Sequence, residues 1–239
     1  MKVLICRPDA DAKILANILS DKGVDVVSMP TIEIEYLSFE FATDNFTDII
    51  FTSKHAVNSF LSKNISLEHI KVWAIGESTA NELYKKIGVD SIYPQKSNSY
   101  ELLELMKYDD IASKSIAIIS GADGNGILEK ELGQSTKVTK TSVYVRNAVD
   151  TRLLRKQYST LFNESNVPGI IVITSLDILK SFNQIFIDSY VYKPTKSIIT
   201  ITSSKMLEYS NKFGFNNTLI LDKFDNKYIS EKICKILGK

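Results

Sequence analysis

The feature that most constrains this chain is a unit that recurs along it: a short β-branched run, a longer segment of helical periodicity closed by glycine, then another apolar run. That order is the grammar of βαβ units, in which a crossover helix carries the chain back to a parallel strand. Val3–Cys6 precedes a helix expected over Ala10–Lys22, where Ile14, Leu15, Ile18 and Leu19 share one face, and Gly23 stands where a left-handed residue ends a helix. The next run, Val24–Met29, stops at Pro30. The same order returns as Trp73–Ile75, a helix from Ser78 to Ile87, Gly88, and a strand over Val89–Tyr93 before Pro94. Two further copies are Ile116–Ile119 with a helix near Gly126–Leu132 and Gly133, and Ile198–Ile201 with a helix near Ser204–Phe213 and Gly214. Gly23, Gly88, Gly133 and Gly214 are all read as left-handed helix terminators.

A second repetition joins distant segments. Ile50-Phe51-Thr52-Ser53 is followed seven residues after the serine by Phe60, and Ile173-Thr174-Ser175 is followed at the same interval by Phe182. Gly76 and Gly88 lie twelve residues apart, as do Thr202 and Gly214. The chain therefore reads as an α/β protein of two related halves. About ten strands, five per half, alternate with helices, so the sheets are expected to be parallel and covered on both faces. No flexible linker separates the halves, and the crossings are expected at Ile32–Tyr36 and Thr141–Arg146.

Composition narrows the function classes. Of 239 residues, 44% are hydrophobic and 24% charged, which excludes a disordered chain, and 29 basic against 28 acidic side chains leave a net charge of +1, too little for a dedicated nucleic-acid binder. Cys6 and Cys234 sit in apolar surroundings near opposite ends and read as reduced, buried thiols. The amino terminus reaches Arg7-Pro8 after four apolar residues, too few for a signal-peptide core, and no apolar run is long enough for a membrane span. A cytoplasmic chain with no membrane partner is expected, and nothing suggests an obligate interface, so a monomer is expected too.

Conventional catalytic constellations are missing. His55 and His69 have no metal-like spacing, so no metal is expected, and His55 falls in the first turn of a helix, where solvation or capping accounts for it. There is no nucleophile elbow and no Walker loop. Gly121-Ala122-Asp123-Gly124-Asn125-Gly126 lies between a strand and a helix, where it serves as a plain turn or, alternatively, an anion cradle; its spacing is not that of a dinucleotide site. The stronger candidates are hydroxyl clusters. In open α/β sheets ligands collect outside the carboxyl ends of the strands, and Thr52-Ser53, Gly76 with Ser78-Thr79, Thr174-Ser175 and Thr202-Ser203-Ser204 all fall at that edge. Each alone is explained by helix capping. Together, on two halves, they are expected to line a cleft of amides, hydroxyls and a few cations, suited to a ligand bearing several carboxylates, with Arg7 and Lys54 the nearest charges. Tyr144, in a strand at the crossing, is placed either to lend a phenolic proton to a leaving oxygen or simply to pack against its neighbours.

Ile50–Phe60, Trp73–Leu83, the glycine-rich turn with Leu128 and Leu132, Ser142–Arg146, Arg7-Pro8 and Pro30 resemble the uroporphyrinogen-III synthase family. The resemblance covers nearly the whole chain and is strongest from residue 50 to 146. It implies two flavodoxin-like domains joined by a two-stranded β-ladder, a discontinuous one of residues 1–35 plus 147–239 and an inserted one of 36–146. It also implies a cofactor-independent hydro-lyase that cyclises the linear tetrapyrrole hydroxymethylbilane to uroporphyrinogen III, with loss of water and inversion of ring D. By resemblance, Tyr144 matches the tyrosine proposed to assist water loss and Thr79 the cleft threonine of one domain. The chain departs from the family pattern at Thr202-Ser203-Ser204-Lys205-Met206, where Gly-x-x-Thr-Ala is often repeated, and at Asn125, where arginine is frequent. Lys205 either compensates for that arginine or is a surface lysine. Two other function classes fit the same halves: a binding or regulatory module that closes on an anionic small molecule without transforming it, and a nucleotide-sugar transferase, disfavoured because no acidic metal pair is found.

Overall fold

The central strands form where runs of Ile, Val and Leu leave no polar side chain to solvate, and several helices begin where a hydroxyl or carboxylate takes up the first free N–H groups. A computed structural model describes residues 1–239. In chain order it holds β1 (Val3–Ile5), α1 (Asp9–Asp21), β2 (Val26–Ser28), β3 (Ile32–Tyr36), β4 (Asp48–Phe51), α2 (Lys54–Leu61), β5 (Lys71–Ala74), α3 (Glu77–Ile87) and α4 (Ser99–Met106). There follow β6 (Ser115–Gly121), α5 (Ile127–Leu132), β7 (Lys137–Ala148), α6 (Thr151–Leu161), β8 (Ile170–Val172) and α7 (Leu176–Gln184). The chain ends with β9 (Ile198–Ile201), α8 (Ser204–Lys212), β10 (Thr218–Ile220) and α9 (Asn226–Leu237). No helix is long and apolar enough to cross a membrane.

Two five-stranded sheets result, as the strand count anticipates. The first has the order β10-β9-β8-β1-β2 with every neighbouring pair parallel. The second has the order β3-β7-β6-β4-β5 and is parallel from β7 to β5. Its β3 edge is the exception. Val149 N–H donates to Thr31 C=O and Leu37 N–H to Val143 C=O, so positions rise on one strand as they fall on the other, and β3 runs antiparallel to β7. The chain divides into two compact units, Met1–Glu33 with Asn147–Lys239, and Ile34–Arg146, so it leaves one within β3 and returns within β7.

Both faces of each sheet are covered. In the first, Leu4 and Cys6 enter one apolar cluster while Val3 and Ile5 enter another. In the second, Ile49 and Phe51 pack on one side and Ile50 on the other. Strand residues alternate between faces, so two apolar layers demand uninterrupted apolar strands, each fully buried aliphatic side chain contributing about 1.5–3 kcal/mol. Cys6 and Cys234 are buried free thiols, and burial pushes the Cys6 thiol pKa well above its ordinary value.

Several local expectations are corrected. Ile14 does not share the buried face of α1 with Leu15 and Leu19; it is 53% exposed and Ala12 takes its place. Val89–Tyr93 does not form a strand and contributes only a single parallel bridge from Ile92 to Trp73, because α3 is followed by a loop that leaves Tyr93 and Ile92 partly in solvent. Gly23, Gly88 and Gly214 do adopt positive φ, but Gly133 ends α5 with φ −63°. The left-handed residue of that helix is Gly126, at its start.

The amino-terminal ends of β4 and β5 are tied by a polar network. Asp48, 1% exposed, accepts hydrogen bonds from Trp73 Nε1 at 2.8 Å and from Thr47 Oγ1 at 2.8 Å, with Lys114 Nζ at 3.5 Å. Lys114 also reaches Asp109, which Lys71 meets at 2.8 Å. This network lies at the end of the sheet opposite the loops considered next.

Candidate functional site

The carboxyl ends of the second sheet's strands converge on one cavity. β4 runs into Thr52-Ser53, β5 into Ile75-Gly76, β6 into the glycine-rich turn, and β7 brings Tyr144 alongside. Between them is a cavity of about 410 Å³ whose lining includes Thr52, Asn98, Ser120, Gly121, Asp123, Tyr144 and Arg146. Ser53 is the N-cap of α2; its Oγ accepts the Ala56 N–H at 3.0 Å and donates to the Tyr144 hydroxyl at 3.0 Å. One serine thus sets a helix start and anchors a phenol.

Tyr144 is 1% exposed, yet its oxygen is not buried in apolar surroundings. Besides Ser53, Arg146 Nη2 donates to it at 2.9 Å, and the guanidinium carbon lies 5.3 Å from the ring centroid. Arg146 Nη1 meets Asp123 Oδ2 at 3.0 Å. The β6–β7 register shifts at Ser120/Gly121, so that Tyr144 stands opposite Gly121. Such irregularities re-aim side chains near functional sites. Here the choice of glycine is steric: a Cβ on Gly121 would fall 2.9 Å from the Tyr144 Cζ and 2.8 Å from Asp123 Oδ1. The His55 ring lies 5.6 Å from the Tyr144 ring, centroid to centroid.

The other residues singled out from the sequence separate into groups. Thr52 donates to Ile119 C=O at 3.2 Å and lines the cavity, and Lys54 is half-buried in the first turn of α2. Gly76 is the N-cap of α3 and lies so close to Ser97 that a Cβ would overlap it; Ser78 is exposed, and Thr79 is only 2% exposed. In the first sheet Ser175 and Ser203 cap α7 and α8, accepting the Ile178 and Met206 N–H groups at 3.3 Å each. Thr202 donates to Thr174 C=O at 3.4 Å and lies 3.0 Å from Met206 Sδ. Thr202, Ser203 and Ser204 line a different cavity, about 500 Å³, with Leu207, Asp222 and Phe224. Arg7 is buried: it lies 3.3 Å from Asp11 and donates to Asn226 Oδ1 at 2.5 Å, while its Nε finds no partner. Burial pulls its pKa below the ordinary value, and Asp11 and Asp225 oppose that shift. Asn125 accepts the Ile127 N–H at 3.2 Å as a turn residue, and Lys205 is exposed.

Sequence reasoning missed Asp123 and Arg146 as parts of this cluster. A signal for Arg146 existed, since residues two apart on a strand share a face. Asp123 gave none, because its meeting with Arg146 depends on how the turn folds over β7. No three His, Cys, Asp or Glu side chains gather as a metal would require.

The family model described as uroporphyrinogen-III synthase HemD matches residues 13–229. A uroporphyrinogen-III synthase of Chlorobaculum parvum is 24% identical over 143 residues, 55% of this chain and 58% of that one. A relative from Methanocaldococcus jannaschii is 32% identical over 114 residues, 45% of this chain and 48% of the relative. The chain thus spans about half the length of the curated relatives it matches. Two solved structures share the fold over nearly all of both chains: uroporphyrinogen-III synthetase of Helicobacter pylori, at 16% identity and TM-score 0.63 with 98% and 99% covered, and a mutant uroporphyrinogen III synthase of Thermus thermophilus, at 11% and 0.61 with 100% of both covered. A match that runs from α1 into α9, on a fold shared from end to end, leaves one assignment: the chain belongs to the uroporphyrinogen-III synthase family.

Proposed function

We propose that this chain cyclises hydroxymethylbilane to uroporphyrinogen III, with loss of water and inversion of ring D, as a cofactor-independent hydro-lyase of tetrapyrrole biosynthesis, acting as a monomer in the cytoplasm. The observation that carries the reading is the Tyr144 hydroxyl at the cavity wall, with two donors converging on its oxygen in a chain of this family. Arg146 can only donate to that oxygen, and with Ser53 donating as well the phenolic proton points elsewhere. It goes to the hydroxyl of the substrate's hydroxymethyl group as the C–O bond breaks, so that water departs with the bonding pair and a pyrrole nitrogen pair forms the azafulvene. The positive Arg146 guanidinium faces the oxygen that has lost its proton.

The electrophile then bonds to the substituted carbon of ring D in a spiro intermediate, the bond from that carbon to its original bridging methylene breaks, and the methylene so freed, as a new azafulvene, bonds to the unsubstituted α-carbon of ring D to give the type III isomer. The proton lost as the rings regain aromaticity balances the one Tyr144 gave. The linear substrate closes unaided to the type I isomer, so the protein's main work is positioning. Lys54 and the backbone N–H groups at the starts of α2 and α3, beside Ser53 and Gly76, are the groups we assign to the substrate's carboxylates in this unit, while the Thr52 and Ser53 hydroxyls donate to Ile119 C=O and Tyr144. Purified protein given freshly made hydroxymethylbilane, without added metal or nucleotide, is expected to yield type III product. Type I product alone, at the spontaneous rate, would reject the activity and leave a non-catalytic binding module for an anionic small molecule.

A further inference from the structure

The inference drawn here rests on Tyr144 as the proton donor. We infer that Asp123 and Arg146 are positioning residues for that phenol: the carboxylate fixes the guanidinium, and the guanidinium fixes the direction in which the phenolic proton points. Three observations support this. Arg146 lies two residues beyond Tyr144 on β7, hence on the same face, and meets Asp123 and Tyr144 through different nitrogens, Nη1 for Asp123 at 3.0 Å and Nη2 for Tyr144 at 2.9 Å. The guanidinium fork holds those two N–H directions at a fixed angle, which a lysine ammonium does not.

The turn carrying Asp123 is itself pinned to the same tyrosine. Ala122 N–H donates to the Tyr144 C=O at 2.8 Å, and Gly124 N–H closes the turn on Gly121 C=O at 3.2 Å. Carboxylate, guanidinium and phenol therefore share one local frame, with Gly121 leaving room for the ring. Finally, the Asp123 and Arg146 side chains are 39% and 34% exposed. An ion pair so exposed contributes little to stability, so removing it tests orientation and not folding. Ser53, set by the start of α2, supplies the second fixed donor.

The test compares Asp123→Asn, Arg146→Lys, Tyr144→Phe and the double variant Asp123→Asn/Tyr144→Phe, each checked for an unchanged Tm. Loss of the carboxylate anchor in Asp123→Asn, and of the rigid guanidinium fork in Arg146→Lys, is expected to lower kcat for type III formation about tenfold in each case, with KM within about twofold. In the Tyr144→Phe background, Asp123→Asn is expected to cause no further loss, because its effect passes through the phenol. The ¹³C resonance of the labelled Tyr144 ring, assigned by its disappearance in Tyr144→Phe, is expected to shift or broaden in Asp123→Asn. An undiminished kcat in Asp123→Asn, a further tenfold loss in the double variant, or a rise in KM as the main effect would overturn the inference while leaving the activity standing. A wild type that forms only type I product rejects the proposed activity instead. The Tyr144 resonance then decides the positioning claim by itself, an unmoved signal overturning it.

Discussion

Two buried tyrosines, one in each unit, sit in opposite chemical settings. Tyr144, 1% exposed at the carboxyl edge of the second sheet, receives hydrogen bonds from Ser53 and Arg146 and borders a cavity. Tyr158, fully buried on α6, lies among Phe162, Phe182 and Phe186, and its hydroxyl meets no hydrogen-bonding group of the protein. Burial pushes the Tyr158 pKa well above its ordinary value. Equal burial thus accompanies unequal roles. A phenol becomes chemically useful when the groups around its oxygen are directional and fixed, whereas in an aromatic cluster it acts as a phenylalanine with an unsatisfied oxygen.

The strongest way to break this comparison is to remove each hydroxyl. Tyr144→Phe is expected to lower kcat for type III formation by about 10²-fold or more, the range of a lost general acid, with Tm little changed. Isomer analysis checks it, and a rate equal to wild type would return Tyr144 to packing. Gly121→Ala is expected to cost about 10- to 100-fold in the same assay, because a Cβ displaces the Tyr144 ring and Asp123 together.

The Thr-Ser repeat sharpens the same contrast. Ser53→Ala and Ser175→Ala each remove a helix cap, and each is expected to lower stability by about 1 kcal/mol in urea unfolding. Only Ser53→Ala is expected to reduce kcat, by about tenfold, since Ser53 alone of the two also donates to Tyr144. At the other end of the second sheet, Lys114→Ala is expected to destabilise by about 1–3 kcal/mol with kcat unchanged, because it leaves the buried Asp48 short of a partner. Hydrogen bonds from Lys114 and Lys71 hold the Asp109 carboxyl below its ordinary value of 3.8. A depressed folded pKa stabilises above the unfolded value and is lost as pH falls through the folded one. Acid unfolding of wild type below about pH 4 is therefore expected to be steeper than that of Lys114→Ala, as circular dichroism against pH will show. The smallest effect is expected from Tyr158→Phe: unchanged kcat, and stability equal to wild type or higher by up to about 1 kcal/mol.

Much of this was legible before any coordinates. The repeated Thr-Ser at strand ends pointed to N-caps, and Ser53 and Ser175 do cap α2 and α7, because capping depends on residues three apart in sequence. Uninterrupted apolar runs pointed to strands buried on both faces, and the resemblance carried by Ile50–Phe60 and Ser142–Arg146 pointed to the family. Less legible was which polar residues share a place. Arg7 reads as a free charge at a strand end, but is held by Asn226, 219 positions away. Thr79, expected to line a cleft, is buried. Val89–Tyr93 has strand composition but finds one bridge, since strand formation needs a neighbour with open backbone groups along its whole length.

The sequence by itself determined the alternation of strands and helices, the layered burial and the family, because these follow from periodicity, capping and local motifs within reach of a few residues. Only the tertiary structure decided that the Ser53 hydroxyl meets a phenol 91 residues away, and that a turn after β6 folds back to bring Asp123 to Arg146. Register from β4 through β6 to β7 settles both, and register is a property of packed strands that no single segment encodes.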